Sequence, residues 1–188
     1  MADLILVTGA ARSGKSEWAE ALAHQSGRTV VYVATAQIDE TDAEWQARIA
    51  RHQQRRSPDW ITLPIPIALA ETIALATADQ CLLIDSLGTW LANRLAEDEP
   101  TWEKTVSKLV AALAQTSCQI ILVAEETGWG VVPAYPLGRT FRDRLGALTR
   151  TIGTIANPVY LVAAGYALNL THLGQVVGEQ GEQGTFRT

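Results

Sequence analysis

The stretch Gly9-Ala10-Ala11-Arg12-Ser13-Gly14-Lys15-Ser16 decides the fold. It reads G-x-x-x-x-G-K-S and follows directly on the apolar run Leu4-Ile5-Leu6-Val7-Thr8. A buried strand, a glycine-framed loop and a helix are the context in which this spacing cradles phosphate as a P-loop. The glycines let the backbone curl so that successive N–H groups face an anion, and the positive end of the following helix adds to that field. Lys15 is expected to reach the β- and γ-phosphates, and the Ser16 hydroxyl to hold Mg²⁺. Gly9 to Ser16 as a whole are therefore nucleotide-binding candidates. A turn that merely caps a helix would leave the lysine–serine pair and the upstream strand without a purpose.

Around this loop the 188 residues suit one domain of ordinary size. The chain is 47% hydrophobic and only 19% charged, which excludes a disordered tail or a charge-rich linker. A net charge of -5 argues against a nucleic-acid partner, since binding a phosphate backbone normally needs a basic surface. Cys81 and Cys118 each open an apolar run and read as buried strand residues, which points to a reducing compartment rather than a disulfide framework. No signal peptide is visible, because the apolar run after Asp3 is short and passes straight into the loop. No stretch approaches the length of a membrane span, so the expectation is a cytoplasmic protein.

Further along, strand and helix patterns alternate. Glu17 to His24 has helical spacing with Gly27 as its stop, and Val30 to Ala34 is a continuous β-branched run. A polar helix is expected from Thr41 to about Arg55, its acids early and its arginines late, in keeping with the helix dipole. Trp60 to Leu63 reads as a short strand and Ile67 to Ala76 as a helix. The next strand, Cys81 to Asp85, finishes on an acid. Helices over Thr89–Ala96 and Trp102–Gln115 follow, parted by the acidic turn Glu97-Asp98-Glu99-Pro100. Gln119 to Ala124 is a strand ending at Glu125-Glu126, a loop from Thr127 leads to a helix over Leu137–Ile155, and Pro158 to Ala163 is a late strand. The alternation predicts a three-layer α/β/α fold with a mostly parallel central sheet, and with the phosphate loop the expectation is a P-loop fold of the RecA-like kind. Residues 1–171 form the catalytic domain in this reading, and 172–188, rich in glycine and glutamine, a loosely held tail.

Ligands of such sheets bind beyond the carboxyl ends of the strands. Thr35 and Asp85 stand there, and Asp85 is the expected second oxygen ligand for Mg²⁺ beside Ser16. The other reading of Asp85, which the phosphate loop makes the weaker one, is a cap on the next helix. His52 lies among Arg48, Arg51, Arg55 and Arg56. On the residues alone the simpler reading is a solvated basic face. The sharper one is a neutral imidazole nucleophile, its proton disfavoured by neighbours such as Arg56 that neutralise an incoming phosphate. Glu126 with Gly128 and Gly130 forms either a substrate loop or an ordinary strand-to-helix connection. Arg139, Arg142 and Asp143 would serve phosphate contacts, a neighbouring subunit or surface ion pairs. His24 and His172 carry no local pattern.

In sequence order these segments resemble the bifunctional cobinamide kinase / cobinamide-phosphate guanylyltransferase family of cobalamin biosynthesis, from the N-terminus to about Leu170. The resemblance is carried by Thr8 to Ser16, Tyr32-Val33-Ala34-Thr35-Ala36, Arg48-Ile49-Ala50-Arg51-His52 with Arg56, and Asp59-Trp60-Ile61-Thr62. It continues through Asp85-Ser86-Leu87-Gly88-Thr89-Trp90-Leu91, Glu126-Thr127-Gly128-Trp129-Gly130-Val131-Val132-Pro133, Phe141-Arg142-Asp143 and Ala164-Gly165. It implies ATP- or GTP-dependent phosphorylation of the aminopropanol hydroxyl of adenosylcobinamide. It further implies transfer of GMP from GTP to that phosphate through a guanylylated histidine, here His52, in a homotrimer. Departures from the family pattern fall at Ala10, Pro64, Glu125 and Thr149-Arg150. The competing readings are a kinase for another small hydroxyl substrate and a non-catalytic nucleotide-binding module.

Overall fold

The computed structural model describes residues 3–37 and 57–177. Its strands are β1 (Asp3–Gly9), β2 (Thr29–Ala34), β3 (Ile61–Pro64), β4 (Gln80–Asp85), β5 (Gln119–Glu125), β6 (Val159–Ala163) and β7 (Tyr166–Asn169). They form one sheet in the order β3-β2-β4-β5-β1-β6-β7. Every described pairing is parallel except that of β6 with β7. The described helices are α1 (Lys15–Gln25), α2 (Leu69–Leu75), α3 (Leu87–Ala92), α4 (Glu99–Gln115), α5 (Pro136–Gly153) and α6 (Leu170–Leu173).

The apolar runs read as strands covered on both faces, and the packing divides them by alternate residues. Leu4 and Leu6 of β1 join Leu82, Ile84, Ile120 and Leu122 in a core closed by α2, α3, α4 and α5. Ile5 and Val7 join Cys81, Leu83, Ile121 and Val123 in a second core, closed by Ala19 and Ala23 of α1. Helices thus lie on both faces, as the alternation predicts. The strand carrying Asp85 does not touch β1: β5 stands between them, which is the RecA-like order.

Differences from the sequence reading are local. Glu99 and Pro100 belong to α4 rather than to a turn, because Asp98 caps the helix by accepting from the Thr101 N–H at 3.0 Å. Proline is tolerated in that first turn, where its missing N–H would have no helical partner. β7 is the strand that the pattern did not announce. It is four residues long, and its hairpin turns on Ala164 (φ 50°) and Gly165 (φ 79°), both left-handed as a two-residue hairpin loop requires. The expected helix over residues 41–55 lies outside the described residues. His172 sits in α6, whose N-cap Asn169 accepts from the His172 N–H at 3.1 Å. No described helix is long and apolar enough to cross a membrane.

Both cysteines are free and buried. Burial pushes the Cys81 thiol up from 9.0 to about 11. The folded state keeps this proton at pH values where the unfolded chain has released it, so stability is intact below about pH 9 and lost as pH rises toward 11. Urea titrations at about pH 8 and pH 10 should show a smaller loss in Cys81→Ala than in the parent; equal losses would contradict the assignment.

Candidate active site

The loop from Gly9 to Gly14 opens at the carboxyl end of β1, in the middle of the sheet. Gly9 is required by space. A Cβ there would collide with the Val162 carbonyl oxygen and lie 2.7 Å from Ser13 Oγ. Gly14 is required by conformation, at φ 95° immediately before α1, and Arg12 shares the left-handed region at φ 59°. Lys15 is buried, and its ammonium donates to the Ala10 carbonyl at 3.3 Å. Ser16 follows in the first turn of α1.

The strand order holds one acid against this loop and a second one strand further on. The backbone N–H of Glu126 donates to the Gly9 carbonyl at 3.0 Å, and Glu126 Oε1 accepts from Thr8 Oγ1 at 2.7 Å. Glu126 is thereby fixed at the mouth of the loop by both its main chain and its side chain. Asp85 ends β4, and its Oδ2 accepts from the Tyr32 hydroxyl at 2.9 Å. Tyr32 pairs in register with Leu83, two residues before Asp85, so the two side chains share one face of the sheet.

Behind Asp85 a polar network anchors the turn into α3. Thr35 is fully buried; its hydroxyl donates to the Ser86 carbonyl at 2.7 Å and accepts from the Ser86 N–H at 2.8 Å. Its side chain is therefore engaged with the Asp85 turn rather than turned toward the phosphate loop. Ser86 caps α3 by accepting from the Thr89 N–H at 3.3 Å, and the Thr89 hydroxyl accepts from the Ser86 N–H at 3.2 Å. Glu125 completes the network, accepting from the Ser86 hydroxyl and, at 3.0 Å, from the Gly88 N–H. A carboxylate at the start of a helix is also favoured by the helix field. The departure from the family pattern at Glu125 thus has a structural partner set.

Gly128 and Gly130 sit in an exposed loop after β5, and a Cβ at either would meet nothing within 4 Å. Neither glycine is required by space or by a left-handed backbone. Arg142 of α5 makes a surface ion pair with Asp143 at 2.7 Å. His52 and Arg56 lie outside the described residues. Tyr32 and Ser86 are site-building residues that the sequence reading missed, and Glu125, seen there as a strand-ending acid, owes its part in the network to tertiary contacts. The register of β2 on β4 would have indicated Tyr32, and the Ser-x-x-Thr spacing of a cap would have indicated Ser86.

The oxygen donors present suit Mg²⁺, which takes one or two protein oxygens and completes its shell with water and phosphate. Ser16 and Asp85 are such donors, and no group of three or more histidines, cysteines or acids forms a dedicated cage among the described residues.

Residues 5–170 match the family described as cobinamide kinase / cobinamide phosphate guanyltransferase. A bifunctional adenosylcobalamin biosynthesis protein CobP of Pseudomonas aeruginosa is 44% identical over 172 residues, covering 90% of this chain and 97% of that one. The corresponding CobU protein of Escherichia coli K12 is 35% identical over 182 residues, covering 89% and 99%. A solved protein of Pyrococcus horikoshii OT3, Project ID PH0250, superimposes with a TM-score of 0.56 at 7% identity over 89% of this chain and 85% of its own, a likeness of fold alone.

A methyl group at Gly88 must displace the carboxylate of Glu125 that holds Ser86. Gly88→Ala should lower stability by about 1–3 kcal/mol, read from denaturant midpoints. An unchanged midpoint would show that the Glu125 network does not hold this turn.

Proposed function

Because the chain belongs to the cobinamide kinase / cobinamide phosphate guanyltransferase family, we propose how its own residues divide the two transfers. The protein is a bifunctional kinase and nucleotidyltransferase of cobalamin biosynthesis that acts on adenosylcobinamide with nucleotide substrates. The observation that carries the division of labour is the fixing of Glu126 to Thr8 and Gly9, which puts a carboxylate at the entrance of the phosphate cradle.

In the kinase step, the loop N–H groups and Lys15 hold the β- and γ-phosphates of ATP or GTP. The aminopropanol hydroxyl of adenosylcobinamide attacks the γ-phosphorus while Glu126 takes its proton. An O–P bond forms, the bond to the β-phosphate oxygen breaks, and the nucleoside diphosphate leaves. Gly128 and Gly130 let the substrate approach, and Arg142 stands near the start of α5 as a further phosphate contact. Mg²⁺ held by Ser16 and Asp85 would supply neutralising charge on the phosphates.

In the second step, an imidazole nitrogen of His52 attacks the α-phosphorus of GTP and pyrophosphate departs, leaving a guanylylated histidine. A phosphate oxygen of adenosylcobinamide phosphate then attacks that phosphorus, breaking the N–P bond and giving adenosylcobinamide-GDP. Lys15 and the loop stabilise the departing pyrophosphate, and Arg56, four residues after His52 in the sequence, neutralises the incoming phosphate. The enzyme works in the cytoplasm as a homotrimer in this reading. The free buried thiols support the first, and the exposed Trp129, Val131, Val132 and Tyr135 supply apolar surface for the second.

Incubation with α-labelled GTP and Mg²⁺ tests the covalent step. Label should be protein-bound, lost in acid, stable in base and absent from His52→Ala, while that variant still phosphorylates adenosylcobinamide. Label retained in His52→Ala, or no label in the parent at saturating GTP, would overturn the assignment.

A further inference from the structure

Between Thr29 and Thr35, β2 runs Val30-Val31-Tyr32-Val33-Ala34, and the Tyr32 hydroxyl is the one polar side-chain group in that run. Tyr32 is only 3% exposed and lies in the second core with Ile5, Val7, Leu83 and Val123. A phenylalanine ring would fill the same space with no polar atom to satisfy. A buried hydroxyl is costly unless it finds a partner, so its use lies in the partner it finds. That partner is Asp85, whose Oδ2 accepts from the hydroxyl at 2.9 Å. In the β2–β4 register Ala34 stands opposite Asp85, and Tyr32 is two residues earlier on the same face. Ala34 is too short to meet the carboxylate, and the longer Tyr32 reaches it along the strand.

The main chain of the Asp85 turn is fixed by other groups. Thr35 bonds to both the carbonyl and the N–H of Ser86, and Glu125 accepts from the Ser86 hydroxyl and the Gly88 N–H. Those bonds locate the turn without touching the Asp85 carboxylate. Tyr32 acts on the carboxylate itself. An ionised carboxylate has about four acceptor positions on its two oxygens, so one phenol bond orients it and leaves acceptor capacity for a cation.

Orientation matters unequally to different cations. Mg²⁺ demands a near-octahedral shell of short bonds, whereas Ca²⁺ accepts irregular shells of longer ones. We propose that Tyr32 is a positioning residue that makes this site selective for Mg²⁺ over Ca²⁺, by holding the Asp85 carboxylate in one orientation through its hydroxyl. The proposal rests on the reading of Ser16 and Asp85 as the protein's oxygen donors to the ion. A carboxylate held still suits the small, exacting ion; one released to turn serves the larger, tolerant ion nearly as well.

Direct ion binding tests this without turnover. The ternary complex is formed from protein in excess, Mn²⁺ and a GTP analogue whose α- and β-phosphates are joined by a methylene group, so that GMP cannot be transferred. Displacement of the bound Mn²⁺ signal in electron paramagnetic resonance then gives the affinities for Mg²⁺ and Ca²⁺. Tyr32→Phe should bind Mg²⁺ about tenfold more weakly than the parent, as loss of a ligand's outer partner does. Its affinity for Ca²⁺ should fall by about twofold or less. Parent-like Mg²⁺ affinity in Tyr32→Phe would overturn the proposal. Equal losses for the two ions would overturn it too, because a slackened core weakens both alike. Asp85→Asn should lose both ions. If Asp85→Asn holds them as the parent does, the reading of Asp85 as an ion ligand falls, and the role of Tyr32 falls with it.

Discussion

The loop after β1 has to reverse direction against the backbone of β6, with no room for a side chain between them. At Gly9 a Cβ would strike the Val162 carbonyl oxygen, and the same position approaches Ser13 Oγ. The constraint exists because β1 is a central strand, paired with β5 on one side and β6 on the other. A chain leaving the middle of a parallel sheet between two neighbours can turn tightly only where the backbone is bare. That tight turn brings Gly14 into its left-handed conformation and starts α1 at Lys15, so the helix N-terminus points at the loop. The phosphate cradle is thus a consequence of sheet packing and not an independent feature grafted on it.

The acids are placed by the same sheet. β5 is inserted between β1 and β4, so Glu126 reaches the loop directly and Asp85 stands one strand further away. Asp85 is steadied from β2 by Tyr32, while the turn behind it is steadied by Thr35 and Glu125. These partners come from β2, the residue that follows it and β5, which lets no single contact decide the position of the turn. Buried polar groups of this kind fix geometry only when each finds a partner: the Thr35 hydroxyl donates to the Ser86 carbonyl, the Ser86 hydroxyl donates to Glu125, and the Thr89 hydroxyl lies within hydrogen-bond reach of both hydroxyls.

Much of this was legible in the sequence. The G-x-x-x-x-G-K-S spacing behind an apolar run identifies the loop, and the β-branched runs ending in acids identify β4 and β5 and the positions of Asp85, Glu125 and Glu126. The strand order was not legible, because local pattern carries no information on which strands become neighbours. Tyr32 and Thr35 owe their roles to that order. β7 escaped notice because four residues alternating beside a glycine give too weak a period, and its pairing with β6 comes from tertiary context. The role proposed for His52 rests on family resemblance; on composition alone a histidine among arginines suggests a solvated face.

The central claim is that one phosphate cradle serves both transfers. Parallel assays of Lys15→Ala test it directly: the rate of phosphorylation of adenosylcobinamide, and the rate at which label from α-labelled GTP enters the protein. If the lysine stabilises the transferred phosphoryl group in one step and the pyrophosphate leaving group in the other, both rates should fall together, by about a hundredfold or more. Loss of one rate with the other left at the parent value would contradict a shared cradle.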